Sequence, residues 1–141
     1  MECEFPRENA TSEEIAQILR TSKVIAVVGL SPKPDRPSHE VAAYMQAQGY
    51  KTIPVNPGHA EILGEKSYKS LLEVPGPIDI VDIFRDPSAV PEIVDQAIAK
   101  KAKVIWMQEG IVHNEAAAKA RAAGLKVVMN KCIYKEYVRR G

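Results

Sequence analysis

Two kinds of hydrophobic pattern alternate along the chain. Short runs of branched apolar residues are separated by longer segments whose apolar positions recur every three or four residues. The short runs are typical of strands buried on both faces of a parallel sheet, and the longer segments of amphipathic helices. Five strands are predicted, at residues 24–28, 52–55, 78–84, 103–107 and 125–129.

The helices are predicted from the same spacing and from their end signals. Thr11 and Glu14 form a capping-box sequence that starts a short N-terminal helix at about residues 11–21. Further helices are predicted before Gly49, over 90–98, over 114–123, and around Ile133 and Tyr137. Residues 56–77 are irregular, with a short helical turn near Leu71.

The alternation of strands and helices indicates βαβ units and a parallel sheet. Because crossovers are right-handed, few topologies remain. We expect an α/β fold with a doubly wound, Rossmann-type sheet of five strands in the order 3-2-1-4-5 and helices on both faces. At 141 residues, the chain suits one domain, residues 1–141. Ligands of such sheets bind beyond the carboxyl ends of the strands.

Composition and charge exclude several classes of protein. A net charge of +1 argues against a general nucleic-acid binder. No run of about 18 apolar residues occurs and the N-terminus has no apolar stretch, so neither a membrane span nor a secretory signal is predicted. Cys3 and Cys132 have no metal-ligand spacing. We expect both to be reduced thiols in a cytoplasmic protein.

The segment after the first strand has the features of a phosphate-binding loop. Gly29 allows a tight turn, after which backbone N–H groups and a helix N-terminus face an anion. Lys33 and Arg36 add positive charge, and an arginine can donate two hydrogen bonds to one phosphate. The alternative is a Pro-rich surface loop whose charges are simply solvated.

Two departures weaken the hypothesis of an NAD site without excluding it. The dinucleotide fingerprint GxGxxG is absent, because Ser31 stands at the position of its second glycine. The second strand ends in Val55, Asn56 and Pro57, with no carboxylate to hold the ribose hydroxyls.

Candidate ligand-binding residues also follow the other strands, and two of them, Arg85 and Trp106, have an alternative structural interpretation. Arg85 either faces the cleft or pairs with Asp82 or Asp86. Trp106 either stacks on a ligand ring or caps the core. Residues 130–132 offer an amide, a cation and a thiol.

Recognisable catalytic patterns are missing from the sequence. It has no Ser-His-Asp spacing, carboxylate pair or metal-ligand set. His39, His59 and His113 lie in loops or at helix starts, and we assign none of them to catalysis. We therefore predict neither a catalytic residue nor a metal site.

As a set, these motifs resemble the stand-alone CoA-binding domain family, which is similar to the CoA-binding domain of the succinyl-CoA synthetase α subunit. The resemblance extends from about residue 23 to 132. It is carried by residues 29–38, 49–50, 54–57, 62–64, 79–85, 106–110 and the Cys132 segment. It implies that coenzyme A is the ligand.

The resemblance also implies particular site residues. The CoA phosphates would be held by Gly29, Ser31, Lys33, Arg36 and Ser38. The rest of the groove would be lined by Asn56, Pro57, Phe84, Arg85, Gln108, Glu109 and Gly110. We also include Leu30, Pro37, Trp106 and Cys132 among the candidate cofactor-binding residues.

The synthetase has a second domain with a phosphorylated histidine, and no such domain follows in this sequence. We therefore expect a non-catalytic CoA-binding protein that acts as a carrier, sensor or accessory subunit and whose protein partner is unknown. The alternatives are an enzyme that acts on CoA thioesters with Cys132 as nucleophile, and an NAD-binding redox domain.

Overall fold

A five-stranded parallel sheet forms the centre of the fold in the computed structural model, which describes residues 4–140. Two further strands, β3 and β4, pair with each other as an antiparallel hairpin. The strands in chain order are β1 (Val24–Val28), β2 (Lys51–Val55), β3 (Glu61–Ile62), β4 (Glu65–Lys66), β5 (Ile80–Ile83), β6 (Val104–Met107) and β7 (Lys126–Val128). The hairpin falls in the stretch that was predicted to be irregular.

Five helices connect and cover the strands, close to their predicted positions. They are α1 (Ser12–Thr21), α2 (Pro37–Ala47), α3 (Val90–Ala99), α4 (Asn114–Ala122) and α5 (Ile133–Arg139). The predicted capping box of α1 is confirmed: the Glu14 N–H donates to Thr11 Oγ1 (3.1 Å) and the Thr11 N–H donates to Glu14 Oε1 (2.9 Å). Among the described residues, no helix is both long enough and apolar enough to cross a membrane.

The helices cover both faces of the sheet, as the sequence predicts. Helices α3 and α4 pack on one face, where their apolar side chains meet Ile105 and Met107 of β6. Helices α1, α2 and α5 pack on the other face, against Val104 and Trp106 of the same strand. Successive strand residues point to opposite faces, so both sides of the sheet are apolar and buried.

The predicted strand order 3-2-1-4-5 is wrong. The observed order is β2-β1-β5-β6-β7, which is 2-1-3-4-5 when these five strands are counted along the chain. Pro54 gives the physical reason. The Gly29 N–H donates to Val55 O on the β1 side of β2, so the preceding residue, Pro54, faces the outer edge. There it has no N–H to offer a further strand, and Tyr68 donates its N–H to Pro54 O.

The segment before α1 is hydrogen-bonded to the edge of the sheet formed by β7. Asn9 Nδ2 donates to Met129 O (2.8 Å), and Asn9 Oδ1 accepts from the Met129 N–H (2.9 Å). The Arg7 N–H donates to Asn114 Oδ1 at the start of α4 (2.9 Å). One side chain thus satisfies both backbone groups of Met129 just beyond β7, as a neighbouring strand would.

Candidate functional site

An open groove of about 540 Å³ lies beyond the carboxyl ends of β1, β2 and β5. It lies at the topological switch point of the observed sheet, because the chain leaves β1 toward β2 on one side and returns to β5 on the other. The predicted residues that line it are Gly29, Ser31, Lys33, Arg36, Pro37, Ser38, Asn56 and Phe84. Pro32 and His59 also line it.

Gly29 is required where β1 ends, for two independent reasons. Its φ of +89° lies in the left-handed region, which favours glycine. A Cβ atom there would lie 2.5 Å from Phe84 O and 3.0 Å from Arg85 Cδ. The absence of a side chain lets the loop after β1 approach the end of β5 and forms the floor of the groove.

Serine side chains shape the loop between β1 and α2. The Ser31 N–H donates to Ser38 Oγ (2.9 Å), and the Lys33 N–H donates to Ser31 Oγ (3.1 Å). These backbone donors are therefore already used inside the loop. What the loop presents to an anion is the side chains of Lys33 and Arg36 and the first turn of α2, which begins without a side-chain cap.

The groove carries positive charge that no carboxylate of its lining balances, as far as the described residues show. Lys33, Arg36 and Arg85 are exposed, and within residues 4–140 none of them forms an ion pair. Arg85 does not pair with Asp82 or Asp86, which was the alternative from the sequence. Unpaired cations around a concave surface favour the binding of an anion.

Asn56 joins the turn after β2 to the loop after β1. Its Nδ2 donates to Leu30 O (3.0 Å), and its Oδ1 accepts from the Gly58 N–H (3.0 Å). Leu30 is fully buried, so its side chain belongs to the core and only its backbone borders this region. Pro57 is exposed in the same turn.

The structure does not bring the candidates after β6 and β7 into this groove. Trp106 is fully buried and its Nε1 donates to Lys131 O (2.8 Å), so it is a core residue and does not stack on a ligand. Cys132 is also buried, at 7% exposure, while Cys3 lies outside the described residues. The physical reason is the strand order, because β5 separates the end of β6 from Gly29.

The turn after β6 is organised by its own contacts. Glu109 forms an ion pair with Lys135 Nζ of α5 (3.1 Å), and the Gly110 N–H donates to Asn130 Oδ1 (2.7 Å). Gln108 is buried, and its Nε2 donates to Asp82 Oδ1 of β5. These residues form a second polar group, one strand away from the groove.

Asp82 is an unusual buried acid at the centre of the sheet. It is 1% exposed, between Val27 and Trp106 in the strand register. Burial raises the pKa of its carboxyl to about 7, and the hydrogen bond from Gln108 opposes part of that rise. The sequence marked Asp82 only as a potential partner of Arg85 and missed this feature.

His59 also lines the groove, and the sequence analysis considered it only as a catalytic candidate. It is exposed and lies in the turn after β2. Its position just beyond a predicted strand was the available signal. No group of three or more potential metal ligands occurs in the described part of the chain.

Comparison with known proteins gives a consistent set of relatives. A family model for a CoA binding domain matches residues 23–138. The uncharacterized protein YneT of Bacillus subtilis is 46% identical over 126 residues, covering 89% of this chain and 93% of its own. A hypothetical protein from Pyrococcus horikoshii has a structure that matches with a TM-score of 0.91 at 45% identity, covering 99% of this chain and 98% of its own.

A third relative is part of a much larger protein. The α subunit of an ADP-forming acetate–CoA ligase I from Pyrococcus furiosus is 34% identical over 95 residues, which cover 63% of this chain. The matched part is 21% of that subunit. The chain thus spans about a fifth of the length of this ligase relative.

Proposed function

The chain belongs to the CoA-binding domain family, and from that premise we propose that it binds coenzyme A in the groove beyond β1, β2 and β5. The observation that carries the proposal is the surface that Gly29, Lys33 and Arg36 form together. A glycine opens the loop to close approach, and two cations free of ion pairs lie on the same concave surface. Coenzyme A presents a pyrophosphate and a ribose phosphate, which are the anions that such a surface attracts.

We assign the phosphates to the loop between β1 and α2. Gly29, Ser31 and Ser38 shape the loop, and the side chains of Lys33 and Arg36 supply charge. Arg36 immediately precedes α2, so its guanidinium and the positive end of the helix dipole act on the same anion. The rest of the ligand would contact Asn56, Pro57, Phe84 and Arg85.

The structure gives less support for ligand contacts by the candidate residues beyond β6 and β7. Gln108, Glu109 and Gly110 would contact the ligand only if its far end crosses β5. Cys132 would need to become exposed before its thiol reacts. This burial disfavours the alternative of a CoA-thioester enzyme that uses Cys132 as nucleophile.

We further propose that the protein acts on CoA as a carrier, sensor or accessory subunit and performs no chemistry. The described polar residues that line the groove are two cations, two serines, an amide and the imidazole of His59, and no carboxylate lines it to orient that imidazole as a base. The ligase relative has about five times the matched length. Turnover of acetate or succinate with CoA and a nucleoside triphosphate by the purified chain would refute this part.

An NAD-binding domain is the less supported alternative. The turn after β2 presents Asn56 and His59 to the groove and no carboxylate for ribose hydroxyls. CoA also carries more negative charge than NAD, which suits the unpaired cations.

Calorimetric titration with CoA and NAD tests the proposal. The wild type should bind CoA more tightly than NAD. Arg36→Ala should weaken CoA binding by roughly 10- to 100-fold, the contribution of a charge-assisted hydrogen bond. Arg20→Ala is the matched control, because Arg20 is an exposed arginine in the last turn of α1 and lies outside the groove.

The dependence of CoA affinity on salt concentration is a second test of the contact between Arg36 and the phosphates. It should weaken CoA binding by the wild type more than by Arg36→Ala, because the variant lacks one of the charges that salt screens. Equal affinities for CoA and NAD, or an Arg36→Ala protein that binds CoA as tightly as the wild type, would contradict the assignment.

A further inference from the structure

A second cavity lies at the opposite end of the sheet from the groove, where β6 and β7 begin. Its volume is about 480 Å³, and its lining comes from the ends of α1, α3 and α4 and from the first residues of β6 and β7. Ligand pockets of proteins have volumes of roughly 300–1,000 Å³. The cavity is therefore large enough for a small organic molecule, and the roles assigned above do not use it.

The floor of this cavity is apolar and its rim is basic. The floor is formed by four buried apolar residues, Ile18, Ala102, Val104 and Leu125. Around it stand three exposed lysines, Lys101, Lys103 and Lys126. Among residues 4–140, no carboxylate lines the cavity. An apolar surface beside a few convergent cations is suited to an organic anion.

Two of the three lysines have no carboxylate as an ion-pair partner. Lys103 Nζ lies 3.4 Å from Asp79 Oδ1, so its charge is partly neutralised. In the part of the chain that the structure describes, neither Lys101 nor Lys126 forms an ion pair. Glu14 lines a neighbouring pocket together with Lys126 but is not within ion-pair distance of it. Two ammonium groups can therefore pair with an anion in the cavity.

The helix ends at the cavity do not need the lysine side chains as hydrogen-bond donors. At the end of α3, the Lys101 N–H donates to Ile98 O (3.0 Å). The Ala102 N–H donates to Ala97 O (3.0 Å). The end of α4 has the same two bonds, with Gly124 in the place of Lys101. The helix dipoles oppose part of the lysine charge, but the backbone satisfies these carbonyls, so the ammonium groups are not held by them.

Lys101 has a backbone conformation that favours glycine. Its φ is +57°, in the left-handed region, and Gly124 has a φ of +93° at the same position of α4. A residue with a Cβ atom is less favourable than glycine at this position of a helix end. The chain thus carries a lysine where glycine would be less strained, and this lysine lies on the rim of the cavity.

We propose that this cavity binds a small organic anion, whose apolar body lies on the floor and whose anionic group pairs with Lys101 and Lys126. The ligand class is an amphiphilic anion, such as a medium-chain carboxylate. The site is separate from the groove beyond β1, β2 and β5. The inference therefore goes beyond the proposed function and does not rest on it.

NMR titration of the ¹⁵N-labelled chain with octanoate tests this proposal. Octanoate should shift the amide signals of residues 17–22, 101–104 and 123–126, which line or adjoin the cavity. Acetate keeps the charge without the apolar body, and octanamide keeps the apolar body without the charge. Each of them should bind roughly tenfold more weakly than octanoate, because each lacks one of the two contributions.

The variants Lys101→Gly and Lys126→Gln each remove one of the two charges. Lys101→Gly should unfold in urea at the same concentration as the wild type or a higher one, because glycine suits a φ of +57°. Each variant should weaken octanoate binding by roughly two- to fivefold, the effect of an ion pair at an exposed site, and the double variant by roughly tenfold. Lys69→Gln is the matched control, because Lys69 is an exposed lysine after β4 and lies outside the cavity.

Three results would refute the site. The first is octanoate shifts that are absent or spread over the whole surface, and the second is acetate or octanamide binding as tightly as octanoate. The third is a double variant that binds octanoate as tightly as the wild type and Lys69→Gln do. These results would leave the proposed function standing, because CoA is assigned to the other end of the sheet.

Discussion

Removing the charge of Asp82 should make the protein more stable at neutral and alkaline pH. Asp82 is fully buried, and burial raises the pKa of its carboxyl from the ordinary 3.8 to about 7. A raised folded-state pKa means that the carboxyl contributes its full stability below pH 3.8. That stability is lost as the pH rises toward 7, and no more is lost above it. At 1.36 kcal/mol per pH unit, the loss is about 4 kcal/mol as an upper bound.

The variant Asp82→Asn isolates this effect, because its side-chain oxygen can still accept from Gln108 Nε2 while the charge is gone. We expect its free energy of unfolding, relative to the wild type, to rise by about 2–4 kcal/mol between pH 4 and pH 8. The new amide N–H group needs an acceptor of its own, and this cost lowers the stability of the variant equally at both pH values, so the test is the change with pH. Urea titrations at several pH values measure it, and the emission of the buried Trp106 reports unfolding.

Asp79→Asn is the control, because we expect its effect on stability at neutral pH to be opposite to that of Asp82→Asn. Asp79 accepts from the backbone N–H groups of Lys23 and Val24 and pairs with Lys103 (3.4 Å). These contacts lower the pKa of its carboxyl although partial burial opposes them. The charged form therefore contributes stability above the ordinary pKa, and its removal should cost stability at pH 7 but little at acid pH. A stability difference between Asp82→Asn and the wild type that does not change with pH would refute the account of Asp82.

Three further predictions concern local contacts. Gly29→Ala should destabilise the fold by roughly 2–3 kcal/mol in urea titration, because its Cβ would lie 2.5 Å from Phe84 O at a φ of +89°; an unchanged midpoint would contradict the close approach. Asn9→Ala should cost about 1–3 kcal/mol and speed amide exchange at Met129, whose N–H and C=O both lose their partner; unchanged exchange would argue against the edge contact. Cys132 should react slowly with oxidised CoA or a disulfide reagent in the folded protein and quickly in urea, since its thiol is buried; rapid labelling of the folded chain would show that it is accessible.

The strands and helices were predictable because their signals are local. Branched apolar runs, the Thr11–Glu14 capping box and the positive-φ glycines at helix ends depend on a few consecutive residues. The hairpin of β3 and β4 was missed because each strand has two residues, too few to show an alternating pattern. The attachment of Asn9 to Met129 joins positions 120 residues apart, so no spacing along the chain could indicate it.

The prediction of the site was incomplete because strand order is a global property. The order 3-2-1-4-5 would place the strand of Trp106 next to β1, and the residues after it beside Gly29. In the observed order β5 takes that place, and the carbonyl of Phe84 comes close to Gly29 instead. In the observed order residues 106–110 therefore lie one strand further from Gly29, and the assignment of residues 108–110 to the groove, which came from the family resemblance, stays a prediction.

Pro54 is a local signal that argues against the order 3-2-1-4-5. A proline whose nitrogen faces away from β1 cannot donate to a strand on that side, which favours β2 at the edge of the sheet and agrees with the observed pairing of the third strand with β1. With β2, β1 and β5 adjacent, the residues after each of them meet at one surface. That arrangement brings His59 into the same groove as Lys33, Arg36 and Phe84. Topology thus determines which residues can contact one ligand, and the position of Pro54 in β2 is one local signal of that topology.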